Sequence, residues 1–356
     1  MKGMTMHKTF LGLDIGGANT KIVAVNQGTG SLKVISDNTY YFPFWEKKAV
    51  LREFLQEKNL LLPDSHTGVG VTMTAELSDC FDTKAEGVDY IVRAVKDTFP
   101  RAMFYSVSGQ FVEGKTAIAK WQEISASNWH AAASLAGKKF PNCLFIDMGS
   151  TTTDIIPVKR GNPSSRGKDD VNRLIHGELV YTGALRTNLI ALTGMERFPF
   201  DGETTRGSPE YFACTADIYR VLGFIEEKDY TIDTPDGRGT SKDECLSRIA
   251  KFVCGDRELL GETGLIELCN YLMARQVDVI AEGIEEVLKA QGMNKKTVIA
   301  ITGCGSFLVE KAAEKSGLEN CIKLTGNHAG VDTETAFSPA LAMAVLSSGL
   351  ENNDTD

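Results

Sequence analysis

The sequence predicts an α/β protein of two lobes, because one strand–turn–strand pattern occurs twice, about 130 residues apart. In the first copy an apolar run ends at Asp14 and a β-branched run resumes at Ile22, with glycine and small polar residues between them. In the second copy the apolar run ends at Asp147 and the chain resumes at Ile155. Each copy is typical of a β-hairpin. A third glycine-containing turn, at Gly303, follows another short buried-strand pattern.

Extended and helical patterns alternate after each predicted hairpin. The first lobe is predicted to contain strands near 20–26, 32–42, 68–72 and 103–107 and helices near 48–58 and 86–98. The second is predicted to begin at Cys143, to carry a third strand near 177–181 and to become helical later. Over 265–290, leucine, isoleucine and valine recur every three to five positions, which predicts one buried helical face or two abutting ones. Two loops, 160–170 and 233–240, are predicted to be surface insertions, with a lid as the alternative.

The two turns predict a site for phosphate. Glycine allows the backbone to approach a ligand closely, and consecutive turn N–H groups form a concave surface that suits phosphate oxygens. The predicted ligand-binding residues are Gly16, Gly17, Asn19, Thr20 and Lys21 in the first turn and Gly149, Ser150, Thr151, Thr152 and Thr153 in the second. Either turn alone could be an ordinary hairpin connection, but its repetition with aspartate at matched places favours a shared role.

Asp14 and Asp147 are the candidate metal ligands, and both also belong to the candidate catalytic set. A carboxylate repels an anion, so its expected role beside a phosphate turn is to hold a divalent cation that bridges to phosphate, directly or through water. Magnesium is therefore the expected cofactor. ATP or another diphosphate-bearing compound is the expected ligand, which makes the partner a phosphorylated small molecule.

The third turn, Gly303-Cys304-Gly305-Ser306, separates a strand pattern from a predicted helix that starts near Leu308. A nucleotide or another flat group could lie against Gly303, Gly305 and Ser306. The order of the three turns, followed by a helix of small residues, resembles the actin, sugar-kinase and Hsp70 ATPase superfamily. That resemblance implies a duplicated ribonuclease-H-like fold with the ligand in the cleft between two lobes. It also implies that the turns are two phosphate loops and an adenosine loop.

The expected domain boundaries follow the repeat. With 356 residues, the chain has enough material for two lobes that each contain a hydrophobic core. Residues 1–140 together with about 331–356 are predicted to form the first ribonuclease-H-like lobe. Residues 141–330 are predicted to form the second, with a helical insertion over about 195–265.

Four longer segments give a closer resemblance. They are Gly70–Asp79, Asn128–Ala131, Gly183–Asn188 and Thr215–Gly223. Together they resemble the hydantoinase A/oxoprolinase-related family that is linked to one-carbon transfer cofactors. The resemblance implies an enzyme of methanofuran biosynthesis that joins an aminomethylfuran diphosphate to the phenol of glutamyl-tyramine, forming an aryl ether and releasing pyrophosphate.

Composition restricts the class of partner. The formal net charge of −9 argues against nucleic acid, because binding to a phosphate backbone needs clustered lysine and arginine. No apolar run approaches the roughly 20 residues that cross a bilayer, and Met1–His7 lacks an apolar signal core, so a cytoplasmic protein without a membrane partner is expected. The eight cysteines form no Cys-x-x-Cys pair, which predicts free thiols and no zinc. Oligomeric state is left open, with a homodimer as one candidate.

Gly109–Thr116 matches the P-loop pattern G-x-x-x-x-G-K-T letter for letter. A P-loop is a loop of small residues that leads directly into a helix, whereas Phe111 and Val112 continue an apolar run. We therefore interpret the segment as a hairpin that turns at Glu113–Lys115, with Lys115 exposed. A true P-loop is the rival hypothesis.

Charged residues in the family-like segments complete the candidate set. Glu76 and Asp79 follow a predicted strand end and are candidate bases for the phenol proton. Helix capping and solvent exposure are the alternative for both. Lys21 and Arg186 are candidate partners of a diphosphate leaving group, since the arginine fork binds phosphate oxygens bidentately. A surface ion pair is the alternative for these two.

Three aromatic residues and two other activities remain open at this point. Trp129, Tyr211 and Tyr219 could stack on a furan or phenol ring, although aromatic residues in helical segments more often belong to the core. The phosphate turns would equally support an ATP-dependent small-molecule kinase or an ATP-hydrolysing hydantoinase/oxoprolinase-like enzyme. A non-catalytic nucleotide sensor is the binding-module alternative.

Overall fold

The computed structural model describes residues 8–28, 31–62 and 66–350, so the expectation for Met1–His7 lies outside it. The strands are β1 (Lys8–Ile15), β2 (Asn19–Gln27), β3 (Leu32–Tyr41), β4 (Gly68–Met73), β5 (Ala102–Tyr105), β6 (Phe111–Val112), β7 (Cys143–Met148), β8 (Thr153–Lys159), β9 (Asn162–Pro163), β10 (Leu179–Val180), β11 (Phe198–Phe200), β12 (Glu203–Thr205), β13 (Val298–Thr302) and β14 (Cys321–Lys323). The α-helices are α1 (Phe44–Lys47), α2 (Leu51–Asn59), α3 (Lys84–Thr98), α4 (Gly114–Ala119), α5 (Trp121–Ile124), α6 (Asn128–Lys139), α7 (Asp170–Ile175), α8 (Ile190–Thr193), α9 (Thr215–Leu222), α10 (Lys242–Phe252), α11 (Arg257–Gln291), α12 (Ser306–Lys315) and α13 (Pro339–Ser347). Short 3₁₀ helices span Lys48–Val50, Ala75–Leu77, Glu227–Asp229 and Gly326–Ala329.

The first sheet combines an antiparallel meander with parallel strands. Its strand order is β3-β2-β1-β4-β5-β6. Strand β2 is antiparallel to β1 and β3, whereas β4 is parallel to both β1 and β5. The register places Asp14 beside Lys21 of β2 and Thr72 of β4. The end of β1, where the predicted phosphate turn begins, therefore has a strand on each side.

The second sheet repeats this order. Its strands run β10-β8-β7-β13-β14, and β9 pairs with β8 outside this path. Without β9 and the separate β11–β12 hairpin, the strands of this half occur along the chain as β7, β8, β10, β13 and β14. Their order across the sheet is therefore third, second, first, fourth and fifth. The same order describes the first five strands of the other sheet. This repetition confirms the predicted α/β, duplicated ribonuclease-H-like fold.

The chain forms two compact units. The first unit consists of Met1–Phe145, Ile156–Ile175 and Lys323–Asp356, and the second of Ile146–Ile155 and His176–Ile322. The predicted lobe limits near 140 and 331 stay a prediction. Each unit carries one phosphate turn with its aspartate, Asp14 in the first unit and Asp147 in the second.

The predicted helix over 265–290 is the larger part of α11. This helix is interrupted at Gly261, where φ is 67°. Leu268 and Ile280 are fully or almost fully buried, as the apolar periodicity predicts. Gln276 lies on the same buried face and is 0% exposed. A buried amide at this place requires hydrogen-bond partners inside the fold.

The segment with the P-loop pattern differs from the prediction in one respect. Strands β5 and β6 are antiparallel, and the turn between them lies at Ser106–Gln110, where the Ser106 N–H donates to the Gln110 carbonyl at 2.9 Å. The predicted turn at Glu113–Lys115 is wrong, because Gly114 is buried against α3 and begins α4. Residues between the two P-loop glycines form a paired strand and not an anion-binding loop. Lys115 is exposed, as expected.

Close packing of α13 on the first sheet depends on glycine. A Cβ atom at Gly12 would lie 1.9 Å from the carbonyl oxygen of Ala340 and 2.4 Å from the nitrogen of Ala344. A Cβ atom at Gly70 would lie 2.8 Å from the carbonyl oxygen of Met343. These are contacts with backbone atoms, so rotation of a neighbouring side chain cannot relieve them. The helix therefore fixes β1 and β4 directly behind the first phosphate turn.

We expect Gly12→Ala to destabilise the first unit by about 3 kcal/mol or more, at or above the upper end of ordinary overpacking, because the new methyl group would collide with the backbone of α13. Chemical denaturation followed by circular dichroism measures the change. Gly28→Ala is the matched control, since its Cβ would be 3.6 Å from the nearest atom, the Ser31 carbonyl oxygen. Equal unfolding midpoints for the two variants would contradict this account of the packing.

Candidate active site

The first phosphate turn is closed by a backbone hydrogen bond between its two ends. The Gly16 N–H donates to the Asn19 carbonyl at 3.0 Å, and a Cβ at Gly16 would lie 2.7 Å from that same oxygen. The carbonyl groups of Gly17 and Ala18 accept from the N–H groups of Phe44 and Phe42. The turn is therefore held both by its own hydrogen bond and by the segment that enters α1.

Asp14 is buried beside this turn with an incompletely satisfied carboxylate. Its side chain is 8% exposed, and Oδ1 has no hydrogen-bond partner among the described residues. Burial raises the pKa of Asp14 to about 6, and the nearby positive charge of Lys21 opposes that shift. A buried carboxylate oxygen without a donor suits a cation, so this observation fits the magnesium role expected for Asp14.

The second turn has the same geometry as the first. The Gly149 N–H donates to the Thr152 carbonyl at 3.0 Å, so aspartate, N–H donor and acceptor stand at the same spacing in both turns. Ser150, Thr151 and Thr152 are partly buried. Thr153 is fully buried, and its hydroxyl donates to the Thr182 carbonyl at 2.7 Å. The Thr153 hydroxyl is thus engaged inside the fold.

The segment Gly183–Arg186 lies directly against the second turn. The Ala184 N–H donates to the Gly149 carbonyl at 3.0 Å, and the N–H groups of Leu185 and Arg186 both donate to the Ser150 carbonyl. A Cβ at Gly183 would lie 2.4 Å from the Thr151 nitrogen, so only glycine allows this approach. Four residues of a family-like segment are in this way fixed against the phosphate turn.

Arg186 presents an open guanidinium edge. Nε and Nη2 are both buried and find no acceptor in the described part of the chain. These two nitrogens form one side of the guanidinium fork, which matches two oxygens of a phosphate or carboxylate. Burial raises the pKa of the neighbouring Tyr211 to about 12, and the charge of Arg186 opposes the shift. The surface ion pair considered as an alternative for Arg186 is absent from the described residues.

The third turn packs on the strand that leads to the second turn. The Gly305 N–H donates to the Met148 carbonyl at 2.9 Å. A Cβ at Gly303, where φ is 92°, would lie 2.2 Å from that carbonyl oxygen, and a Cβ at Gly305 would lie 2.4 Å from the Met148 side chain. Ser306 is buried at the start of α12. The glycines are required by packing, and ligand contact by this turn stays a prediction.

Glu76 is buried, so the alternative of solvent exposure is wrong for it. Its side chain is 1% exposed, because α3 packs on the 3₁₀ helix after β4 closely enough that a Cβ at Gly87 would lie 2.6 Å from the Glu76 Cα. Ser125 Oγ donates to Glu76 Oε1 at 2.6 Å, while Oε2 meets no donor within the described residues. Asp79, by contrast, is exposed.

The surroundings of Glu76 raise the pKa of its carboxyl group to near neutral pH. Burial raises the pKa of Glu76 to about 7, and the hydrogen bond from Ser125 and the charge of Lys84 act in the opposite direction. Asp170 raises the pKa further and is held 3.1 Å from the Lys84 Nζ. Ser125, Lys84 and Asp170 carry no recognisable motif, so the sequence analysis did not find them.

Two of the three candidate aromatic residues are buried, Trp129 in the first unit and Tyr219 in the second. Trp129 is 1% exposed, and the guanidinium carbon of Arg173 lies 4.4 Å from the centre of its ring. Tyr219, in the second unit, is 0% exposed. The core interpretation therefore holds for Trp129 and Tyr219, whereas Tyr211 is 48% exposed and keeps the stacking role as a prediction.

The described residues contain neither a cluster of metal-binding side chains nor a helix that could span a membrane. Within residues 8–28, 31–62 and 66–350, no three His, Cys, Asp or Glu side chains are grouped as a metal site. A magnesium ion at a phosphate turn takes one or two carboxylates and completes its shell with phosphate oxygens and water. None of the helices in the same ranges combines the length and apolar content of a membrane span.

The sequence of this chain matches the model of a known protein family. The model of the hydantoinase/oxoprolinase family matches residues 67–345, which include all four segments that suggested the resemblance. The chain belongs to the hydantoinase/oxoprolinase family. The family match covers the second phosphate turn, the Gly183–Arg186 segment and the third turn, whereas the first turn precedes it.

Two curated relatives agree in name. A protein of Methanocaldococcus jannaschii is 37% identical over 338 residues, which cover 94% of this chain and 96% of the relative. A protein of Methanococcus vannielii is 37% identical over 208 residues, which cover 58% of this chain and 90% of the relative. Both are named (4-{4-[2-(gamma-L-glutamylamino)ethyl]phenoxymethyl}furan-2-yl)methanamine synthase.

A solved structure supports the fold. The nucleotide-free structure of acetone carboxylase, from work on ATP-dependent acetone carboxylation, superposes with a TM-score of 0.58. The superposition covers 95% of this chain and 70% of that chain at 11% sequence identity. This likeness concerns the fold and agrees with the duplicated sheet order of the chain.

We expect the free energy of unfolding of Glu76→Gln to rise relative to that of the wild type as the pH increases from about 4.5 to 7. The relative gain should reach up to about 3 kcal/mol at pH 8. The folded pKa lies above the unfolded one, so the wild type loses stability over this window as the unfolded carboxyl ionises first. Denaturation midpoints at pH 5 and pH 8 measure the difference, and effects that do not depend on pH cancel. A variant whose relative stability did not change with pH would contradict the raised pKa.

We expect Ser125→Ala to move the acidic limb of the pH–rate profile to higher pH, because the lost hydrogen bond had lowered the pKa of Glu76. The sign follows from the role of a base, which works only when deprotonated. Asp79→Asn is the matched control, since Asp79 is exposed and its loss should leave the limb unmoved. A limb that shifts in the Asp79 variant and not in the Ser125 variant would assign the proton transfer to Asp79.

Proposed function

We propose that this protein forms an aryl ether by joining an aminomethylfuran diphosphate to the phenol of glutamyl-tyramine, with release of pyrophosphate, in the biosynthesis of a methanofuran-type cofactor. The observation that carries the proposal is the 37% identity to a synthase over 94% of the chain. The name of that relative describes its product, in which a phenoxymethyl group joins a glutamylaminoethyl phenol to a furan methanamine. The enzyme is then a transferase of an alkyl or aryl group other than methyl, which displaces a diphosphate.

The proposed reaction is a displacement of pyrophosphate at the furfuryl carbon. The bond between the furfuryl carbon and the diphosphate oxygen breaks, and the electron pair leaves with pyrophosphate. The phenol oxygen forms the new bond to that carbon and gives up its proton to a base. A furfuryl carbon can spread positive charge over the ring, so groups that stabilise the departing pyrophosphate lower the barrier.

The donors for the leaving group come from the two turns and from Arg186. The N–H groups of Gly16 and Gly149 close the turns by donating to carbonyl groups within them, which fixes the turn backbone and leaves the other turn N–H groups to face the ligand. The unpaired Nε–Nη2 edge of Arg186 supplies a bidentate partner for diphosphate oxygens. Asp14 and Asp147 are the proposed magnesium ligands. Magnesium, when bound, supplies charge neutralisation on the diphosphate. Lys21 is the proposed further cationic partner at the first turn.

Glu76 is the proposed base for the phenol proton. Its pKa of about 7 matches a group that accepts a proton near neutral pH, and Oε2 is buried without a donor in the described chain, so its hydrogen-bonding capacity is unused. Ser125 holds Oε1 and so fixes the orientation of the carboxylate. The base therefore has one oxygen anchored and one available.

We expect the purified protein to convert the furan diphosphate and glutamyl-tyramine, with magnesium, to the ether and pyrophosphate in the absence of ATP. Binding energy from both substrates must bring the phenol oxygen within about 3–3.5 Å of the furfuryl carbon, so omission of either one should stop turnover. Mass spectrometry of the ether and an enzymatic pyrophosphate assay measure the reaction. Consumption of ATP with phosphorylation of an acceptor, and no ether, would favour the kinase alternative. Binding of nucleotide without turnover of any substrate would favour the sensor.

We expect Asp14→Asn and Asp147→Asn each to lower kcat at least about 100-fold while the far-ultraviolet circular dichroism stays unchanged, because each removes a carboxylate that the metal–diphosphate complex requires. Lys115→Ala is the control, since Lys115 is exposed on α4 and outside both turns. Near-native turnover of either aspartate variant at moderate magnesium concentration would remove that residue from the metal site. A large loss in the Lys115 variant would restore the P-loop hypothesis.

A further inference from the structure

Gln276 reaches from α11 to the segment that carries Arg186. Its side chain is 0% exposed and lies about 90 residues beyond that segment in sequence. Nε2 donates to the Thr182 hydroxyl oxygen and to the Gly183 carbonyl, both at 2.8 Å. Oε1 accepts from the Tyr219 hydroxyl. Both N–H groups and the carbonyl oxygen of the Gln276 amide are therefore hydrogen-bonded inside the second unit.

Two threonines complete the hold on Gly183. The Gly183 carbonyl also accepts from the hydroxyls of Thr187 at 3.2 Å and Thr215 at 3.1 Å. The Gly183 N–H donates to the Thr187 hydroxyl oxygen at 2.9 Å. The Thr187 N–H in turn donates to the Thr215 hydroxyl oxygen. Every polar backbone atom of Gly183 is thus tied to a buried side chain.

The fixed residue lies between Gln276 and the second phosphate turn. On its other side, Gly183 approaches Thr151 so closely that an added Cβ would be 2.4 Å from the Thr151 nitrogen. Three residues further on stands Arg186, whose N–H is bound to the Ser150 carbonyl at 2.9 Å. A change in the position of Gly183 would therefore move both the turn and the base of the arginine side chain.

We propose that Gln276 is a positioning residue that holds the Gly183–Arg186 segment so that the open guanidinium edge of Arg186 meets the diphosphate. The inference rests on the proposed function and deepens it, because it makes α11 part of the diphosphate-binding apparatus. An amide is suited to the place, since it donates to two oxygens and accepts from a hydroxyl with one planar group. A carboxylate would set an acceptor against the Gly183 carbonyl, and a thioether would supply no donor.

The test is calorimetric binding of inorganic pyrophosphate with magnesium to the full-length protein, paired with steady-state kinetics. Gln276→Met and Gln276→Glu should weaken pyrophosphate binding by about tenfold or more, and should raise KM for the furan diphosphate more than KM for glutamyl-tyramine. Glu267→Gln, an exposed position on α11, is the matched control and should match the wild type. Tyr219→Phe removes only the donor to Oε1 and should give a smaller change in the same direction.

A double-mutant cycle separates positioning from general damage to the fold. If Gln276 acts through Arg186, Gln276→Met should weaken pyrophosphate binding much less in an Arg186→Lys background than in the wild type. Additive losses, or a wild-type pyrophosphate affinity in both Gln276 variants, would overturn the inference. If the Gln276 variants fail to fold, Tyr219→Phe serves in the same cycle, with additivity again counting against the proposal. Pyrophosphate binding with coupling but without ether formation would refute the proposed reaction and leave the positioning role standing.

Discussion

The second phosphate turn depends on backbone contacts that only glycine permits. Gly183 approaches the Thr151 nitrogen and Gly303 approaches the Met148 carbonyl so closely that a Cβ would lie 2.4 Å and 2.2 Å from these atoms. Two other segments thus fix the turn from outside, in addition to its own hydrogen bond. Donors fixed before the ligand arrives need no reorganisation during the reaction, which is how electrostatic stabilisation of a leaving group becomes effective.

Three of the side chains that we assign to chemistry share one property, a buried atom whose hydrogen-bonding capacity is unmet in the described part of the chain. Asp14 Oδ1, Glu76 Oε2 and the Nε–Nη2 edge of Arg186 have no partner among the residues that the structure describes. Leaving one such group unsatisfied costs about 1–3 kcal/mol, and more when it is charged. A ligand or metal ion that pairs with these groups would offset that cost. Glu76 should therefore reduce the stability of the protein above neutral pH while it serves as the proposed base. Neutral glutamine at this position should stabilise the fold at pH 8 but could not accept the proton.

The sequence predicted the hairpins and the Asp–Gly spacing of both turns because these follow from local patterns. It misplaced the turn between β5 and β6, since Glu113-Gly114-Lys115 has turn-like residues while Gly114 packs against α3 and begins α4. Burial of Glu76 could not be predicted, because it results from the close approach of Gly87 on a later helix. The role of Gln276 could not be predicted, because the residue lies within the apolar pattern of α11. Its partners, Thr182 and Gly183, are more than 90 residues away in sequence.

The central claim is that the phenol oxygen attacks carbon and not phosphorus. Glutamyl-tyramine labelled with ¹⁸O in the phenol tests it most directly, in a reaction with the unlabelled furan diphosphate and magnesium, followed by mass spectrometry of both products. Attack at the furfuryl carbon predicts that the label is retained in the ether and is absent from pyrophosphate. A phenol ester of phosphate or diphosphate that carries the label, in place of the ether, would show that phosphorus is the site of attack and would contradict the account.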